Sequence, residues 1–199
     1  MHPTDILQEE HEVINQVLDC LEKIVQQCEA TGTLDAASAQ DAVDFFRNFA
    51  DRCHHGKEEA HLFPLMEQRG FAKDNGPTAV MRLEHDQGRA CVKGMGEAIA
   101  AAQKHDATAG QRFVTHARAY LELLRTHIQK ENQCLFPMAN QAFSDADQKA
   151  LLSAFETVEH EEIGAGVHEK QLAIANALAE RFHVAKSKSQ PTPCCHHRH

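Results

Sequence analysis

The chain has no long apolar run, which leaves no stretch able to span a bilayer as a helix. Its first residues, MHPTDILQEEHEVI, lack a basic segment followed by an apolar one, so no signal peptide is expected. No Cys-x-x-Cys pair occurs. Seven cysteines, an odd number, predict reduced thiols in a cytoplasmic protein rather than a disulfide framework. Positive charge is scarce: the formal net charge is −9, which argues against nucleic acid or an anionic membrane as partner. Tryptophan is absent, and no segment shows the alternation of a strand.

Histidine, by contrast, is plentiful. The chain has 15, of which 12 lie before the last few residues. Its 199 residues suit one domain with a tail. Almost every segment has helical period. Leu7, His11, Ile14, Leu18, Leu21, Val25 and Cys28 form one stripe, an amphipathic helix with a histidine in its buried seam. Thr4-Asp5 is a candidate cap and Thr31-Gly32-Thr33 a stop. A second helix is expected from about Asp35 to Gln68, and a clear turn follows at Asp74-Asn75-Gly76-Pro77. Further helices are expected from Thr78 to Lys104, Thr108 to Gln141 and Ser144 to Lys186, the last irregular at Gly164 and Gly166. The domain then covers residues 1–186, and 187–199 form a disordered tail whose Cys194-Cys195-His196-His197 could bind metal adventitiously.

One phrase is written twice. HHGKEEAHLFP (54–64) and HIQKENQCLFP (127–137) each carry a His, then Lys-Glu three and four residues on, then Leu-Phe-Pro. Glu10-His11-Glu12 is likewise echoed by Glu84-His85-Asp86. The offsets are 73 residues (137 minus 64) and 74 (85 minus 11), so the first helix pair is repeated by the second. A duplicated hairpin of this kind predicts an all-α, antiparallel four-helix bundle with an additional C-terminal helix.

The repeated residues have a common chemistry. His54 and Glu58, and His127 and Glu131, are four apart and share a helix face, with Cβ atoms about 6 Å apart. His11 and His85 add one imidazole each from neighbouring helices. Four imidazoles and two carboxylates inside a bundle are costly unless something satisfies them. Two cations would do so, each taking imidazoles from its own half while the carboxylates bridge. Iron, manganese and zinc all accept such donors. A mixed set at more than four positions favours iron over closed tetrahedral zinc.

These stretches, with GPTAVMRLEHDQG between them, resemble the hemerythrin-like (HHE cation-binding) family, over residues from about 5 to 140. The middle phrase is also similar to the hemerythrin domain of repair-of-iron-centres proteins. The resemblance implies a four-helix bundle around a non-haem diiron centre, two iron ions with a bridging oxo or hydroxo group. Matched by motif, its metal ligands are His11, His54, Glu58, His85, His127 and Glu131. It implies a small-molecule partner: oxygen, nitric oxide or peroxide, bound for sensing, scavenging or storage. It also implies two alternatives: a diiron enzyme (nitric oxide reductase, peroxidase-like or oxidase), or an iron donor for iron–sulfur centre repair. A monomer or homodimer is expected. The repair proteins carry a small Cys-containing domain before the bundle, and none is expected here. The oxygen carriers place an extra His in the third helix, and none stands near His85 at helical spacing.

Several neighbours of the motif are read separately. His55 and Glu59 also stand four apart, but one step off the ligand face, and are expected to point outward; the Leu-Phe-Pro alignment pairs His127 with His54. His61 and Cys134 occupy matching positions and are expected to line the interior, with His61 an optional ligand. Glu159-His160-Glu161 is a third echo, and His160 and His168 could reach the site from the fifth helix, although a solvated face is expected. Pro64 and Pro137 are expected to free a carbonyl or kink their helices.

Overall fold

A computed structural model describes residues 1–158 and 166–188. Its regular elements are all helical, with no strand among the described residues. Helix α1 is Pro3–Thr31 and α2 is Ala36–Phe45. The chain continues through two wide, π-helical turns, π1 (Phe46–His55) and π2 (Glu58–Leu62), into α3 (Phe63–Gln68). Then come α4 (Pro77–Ala102), α5 (Ala109–Lys130), a third wide turn π3 (Glu131–Leu135) and α6 (Phe136–Ala142). Two more helices follow, α7 (Asp145–Thr157) and α8 (Val167–Phe182). The four long arms are α1, α2–α3, α4 and α5–α6, an all-α bundle to which α7 and α8 are added.

Local signals set the ends. Asp5 closes the start of α1 from inside, its carboxylate accepting the His2 N–H at 2.6 Å. Gly32 ends α1 at φ +70°, its N–H donating to the Cys28 carbonyl at 2.9 Å. Asp35 caps α2 by accepting from the Ser38 N–H at 3.2 Å. At the Gly-Pro turn, a Cβ on Gly76 would sit 2.1 Å from the Ala72 carbonyl oxygen, so only glycine fits. Ser144 and Asp147 cap α7 reciprocally, and Arg69 grips the same Asp147 at 2.9 and 2.5 Å, tying α3 to α7.

The second and fourth arms carry the two prolines expected to free a carbonyl or kink their helices. They are continuous, but widened where the repeated phrase lies. The cause is local. Pro64 and Pro137 have no N–H, and their rings crowd the carbonyl one turn back. Just before each, the ladder shifts by one residue: the Phe63 N–H donates to the Glu58 carbonyl, and that of Phe136 to Glu131. The expected fifth helix is also different. Among the described residues it comprises α7 and α8; Gly166 enters α8 at φ +83°, and that helix stops at Phe182, short of Lys186. Glu159, His160, Glu161, Gly164 and the Cys194–His197 tail lie outside the described residues.

Two apolar layers sandwich the histidines. The larger runs through α1, α2, α4, α5 and α8, with Phe45, Phe46 and Phe113 fully buried. The smaller closes the other end and holds both Leu-Phe pairs, Leu62-Phe63 and Leu135-Phe136. Burying each phenylalanine stabilises the fold by about 1.5–3 kcal/mol. Phe136 stacks on the His11 ring at 5.5 Å and Phe63 on the His85 ring at 5.8 Å. Each half thus supplies the lid over the lone histidine of the other, which gives the Leu-Phe-Pro phrase a reason to occur twice.

Candidate metal centre

Between the layers, His11, His54, Glu58, His85, His127 and Glu131 are all buried to 1% exposure or less. They fall into two groups. His11, His54 and Glu131 have ligand-type atoms within 4.8 Å of one another, and so do His55, Glu58, His85 and His127.

The carboxylates link the groups. One Glu131 oxygen lies 3.1 Å from His11 Nε2 and the other 3.1 Å from His127 Nε2. Glu58 lies 3.9 Å from His54 Nε2 through one oxygen and 3.4 Å from His85 Nε2 through the other. The Nε2 atoms of His85 and His127 are 3.1 Å apart. Two donors at right angles on one metal, each about 2.1 Å from it, stand about 3 Å apart. Most of these separations match that spacing.

Each imidazole is turned by a partner behind it. His54 Nδ1 meets Glu10 at 2.8 Å, His127 Nδ1 meets Glu84 at 2.9 Å, and His85 Nδ1 meets Glu59 at 2.6 Å. His11 Nδ1 meets the Asn132 amide oxygen at 2.9 Å. With an acceptor behind it, each ring carries its proton on Nδ1 and turns the Nε2 lone pair inward. Inside, His11 Nε2, His54 Nε2 and all four oxygens of Glu58 and Glu131 are buried without a hydrogen-bond partner. Inward lone pairs and shared carboxylates fit a pair of cations and leave the polar atoms unsatisfied otherwise.

Behind the carboxylates stand two lysines. Lys57 donates to Glu10, and Lys130 donates to Glu84. The repeated Lys of His-x-x-Lys-Glu and the repeated Glu before each lone His therefore meet. Glu10 belongs to the first helix and serves His54 on the second; Glu84 belongs to the third and serves His127 on the fourth. Burial alone would raise the Glu10 pKa, but the Lys57 ammonium and His54 outweigh it and hold it down at about 2. Glu84 is also held low, burial being outweighed by Lys130 and His127.

Inside the site the charges separate. Burial, with the Glu131 charge second, pushes Glu58 well above the usual carboxylate range. For Glu131, burial is outweighed by His127 and His11, and its pKa falls. Burial, then His11, pushes His54 down to about 4. His127 rises, because the Glu131 charge beside it outweighs its burial.

His55 corrects the outward expectation. It is 4% exposed and stacks on His85 at 3.8 Å, 14° from parallel. In an α-helix adjacent side chains diverge by about 100°. The wide π1 turn carries more residues per turn, so His54 and His55 diverge less and both enter the interior. Glu59 is also not free of the site, since it holds His85 and accepts from Arg89 at 2.8 Å. His61 is half-buried, Cys134 is exposed, and His168 packs on Phe49 at 5.4 Å; none joins either group. Reading by repeats missed Glu10, Glu84, Lys57 and Lys130 as supporting residues, although all four stand in the repeated phrases.

The model of the hemerythrin HHE cation binding domain matches residues 2–139. Among curated proteins, the chain is 26% identical over 162 residues to an uncharacterized protein of Mycobacterium tuberculosis, and equally to one of Mycobacterium bovis. The match covers 81% of this chain and 62% of those relatives, so the chain spans less than two thirds of their length. No solved structure matches significantly. The match takes in both hairpins and every residue of the two groups, and on it the chain belongs to the hemerythrin HHE cation-binding family.

Proposed function

We propose that the two groups hold two iron ions and through them bind a small diatomic or oxidant ligand, oxygen or nitric oxide, for sensing, scavenging or storage in the cytoplasm. The observation that carries this reading is the reach of Glu58 and Glu131, each with one oxygen toward either group. His11 and His54 would hold one ion; His85 and His127, with His55 beside them, would hold the other. The carboxylates would be shared. Imidazole and carboxylate in this number suit iron. Bound iron would supply redox chemistry and open positions for a small ligand.

The chain's own residues do the rest. Glu10, Glu59, Glu84 and Asn132 hold the imidazoles in one tautomer with Nε2 inward. Lys57 and Lys130 keep Glu10 and Glu84 ionised. Phe63 and Phe136 cover His85 and His11 and exclude water from that side. Metal analysis of protein expressed with ample iron tests the reading: two irons per chain and a visible absorption band are expected. One zinc per chain and no band would overturn it. In the same sample, a lasting spectral change on exposure of reduced protein to oxygen supports binding. Immediate oxidation to a stable product supports the enzymatic alternative.

A further inference from the structure

Among the described residues, three pockets can be compared, and one of these reaches the histidines. A pocket of about 350 Å³ touches the outer pair Glu84–Lys130 but neither ligand group. Another, of about 370 Å³, lies between α1 and α8 beside Gln16 and Lys186, away from both groups. The third, about 330 Å³, opens between π1, α4 and α5 and has His55 in its wall. His55 is therefore common to this pocket and to the group with Glu58, His85 and His127.

We infer that this third pocket is the entrance through which a small anion reaches the metal centre, an inference that rests on the function proposed above. Two features carry it. The first is the opening itself. Gly88 stands on α4 three residues after His85 and lines the pocket. A Cβ there would meet Tyr120 Cε2 at 3.5 Å and Leu123 Cδ2 at 4.0 Å, ordinary contacts, so the fold tolerates a side chain. The missing one keeps the passage open. Val92 and Tyr120 supply the apolar part of its wall.

The second feature is charge. The chain carries −9 overall, yet three cations and one carboxylate line this pocket. Arg89 is neutralised by Asp51 at 2.8 Å, Asp86 at 2.9 Å and Glu59 at 2.8 Å. Arg47 and Lys93 are different. Their nearest carboxylates, Asp44 and Glu97, stand 3.9 Å away, and both cations face solvent, Lys93 at 78% exposure. Two loosely paired cations at the mouth of a narrow cleft draw in small anions and raise their rate of arrival.

The test uses the iron-loaded full chain, with sodium azide as probe, in stopped-flow absorption. Gly88→Leu should slow azide association about tenfold, because the passage must open before the probe enters. Its iron content and resting spectrum should match the parent chain. Lys93→Glu, on an exposed side chain, should slow association about threefold at low salt, with the difference vanishing at high salt. Parent rates in Gly88→Leu with full iron would overturn the entrance. If Gly88→Leu does not fold, Lys93→Glu decides: a salt-dependent slowing supports the entrance, and a parent rate overturns it. A chain that takes up no iron pair overturns the proposed function and the entrance with it, and iron analysis separates that failure from the others.

Discussion

The two hairpins carry the same phrases but live in different surroundings. In the first, Lys57 and Glu10 are both 0% exposed. In the second, the matching Lys130 and Glu84 are 38% and 14% exposed. The difference comes from the added helices. α7 packs on α1 and π2, and α8 on α1, α2 and π1, all parts of the first hairpin. Phe155 of α7 places its ring 5.8 Å from the Lys57 ammonium. A second break in symmetry lies inside. His55 of the first hairpin reaches the imidazoles of the second, whereas the matching residue, Ile128, is part of the larger apolar layer. Equal motifs thus yield one sealed half and one open half, and three imidazoles in one group against two in the other.

The largest expected effect separates the two lysines. Lys57→Met would remove the cation from the buried Glu10 carboxylate and leave it only the His54 Nδ1–H, costing about 3–5 kcal/mol. Lys130→Met should cost about 1 kcal/mol or less, because that pair is partly solvated and screened. Thermal or urea unfolding of metal-free protein reads both. Equal losses would mean that the covering by α7 and α8 does not distinguish the halves.

Next comes the difference between the adjacent histidines. His54→Ala leaves His11 as the remaining imidazole of its group and should cost one metal per chain. His55→Ala leaves His85 and His127 in place, and should keep two metals with affinity weakened by about 10–100-fold, the range seen when supporting groups are removed. Iron content after dialysis against a chelator measures both. Full, chelator-resistant retention in His55→Ala would return His55 to a packing role.

The smallest effect concerns protons. Glu58 and His127 both have raised pKa values in the metal-free site, so the group they share with His85 binds protons that a metal must displace. His54, held at about 4, and Glu131, held low, are already deprotonated near neutrality. As pH falls, affinity at the group of Glu58 and His127 should drop first, and loading there should release protons. Loading at the group of His11 and His54 should release fewer. Stepwise calorimetric titration in buffers of different ionisation heat separates the two. Identical proton release at both steps would contradict the assignment of charge within the site.

Much of the fold was legible because its signals are local. Helical period, Gly32, the Gly-Pro turn and the helix start at Ser144 depend on a few adjacent residues, and they lie where expected. The break of the fifth helix was legible only as irregularity, since Gly166 marks a turn without saying how much chain it interrupts. Of the site, the six repeated residues could be gathered by offset alone. Lys57, Lys130, Glu10 and Glu84 were visible as repeats, but their pairing crosses from one helix to the next, and sequence distance does not encode which helix faces which.

His54 and His55 mark the boundary most sharply. The sequence by itself determined that two hairpins would bury matching histidines and glutamates, because spacing of four on a helix and a hydrophobic stripe leave those side chains one common interior. It also contained the cause of two of the wide turns, the prolines that cannot donate an N–H. Only the tertiary structure decided that the π1 turn, packed against α4 and α8, carries both adjacent imidazoles inward. It likewise decided that α7 and α8 seal one half and leave the other open. Side-chain direction over several residues accumulates small changes in helical winding, and burial depends on elements far away in the chain, so neither is a property of any short stretch.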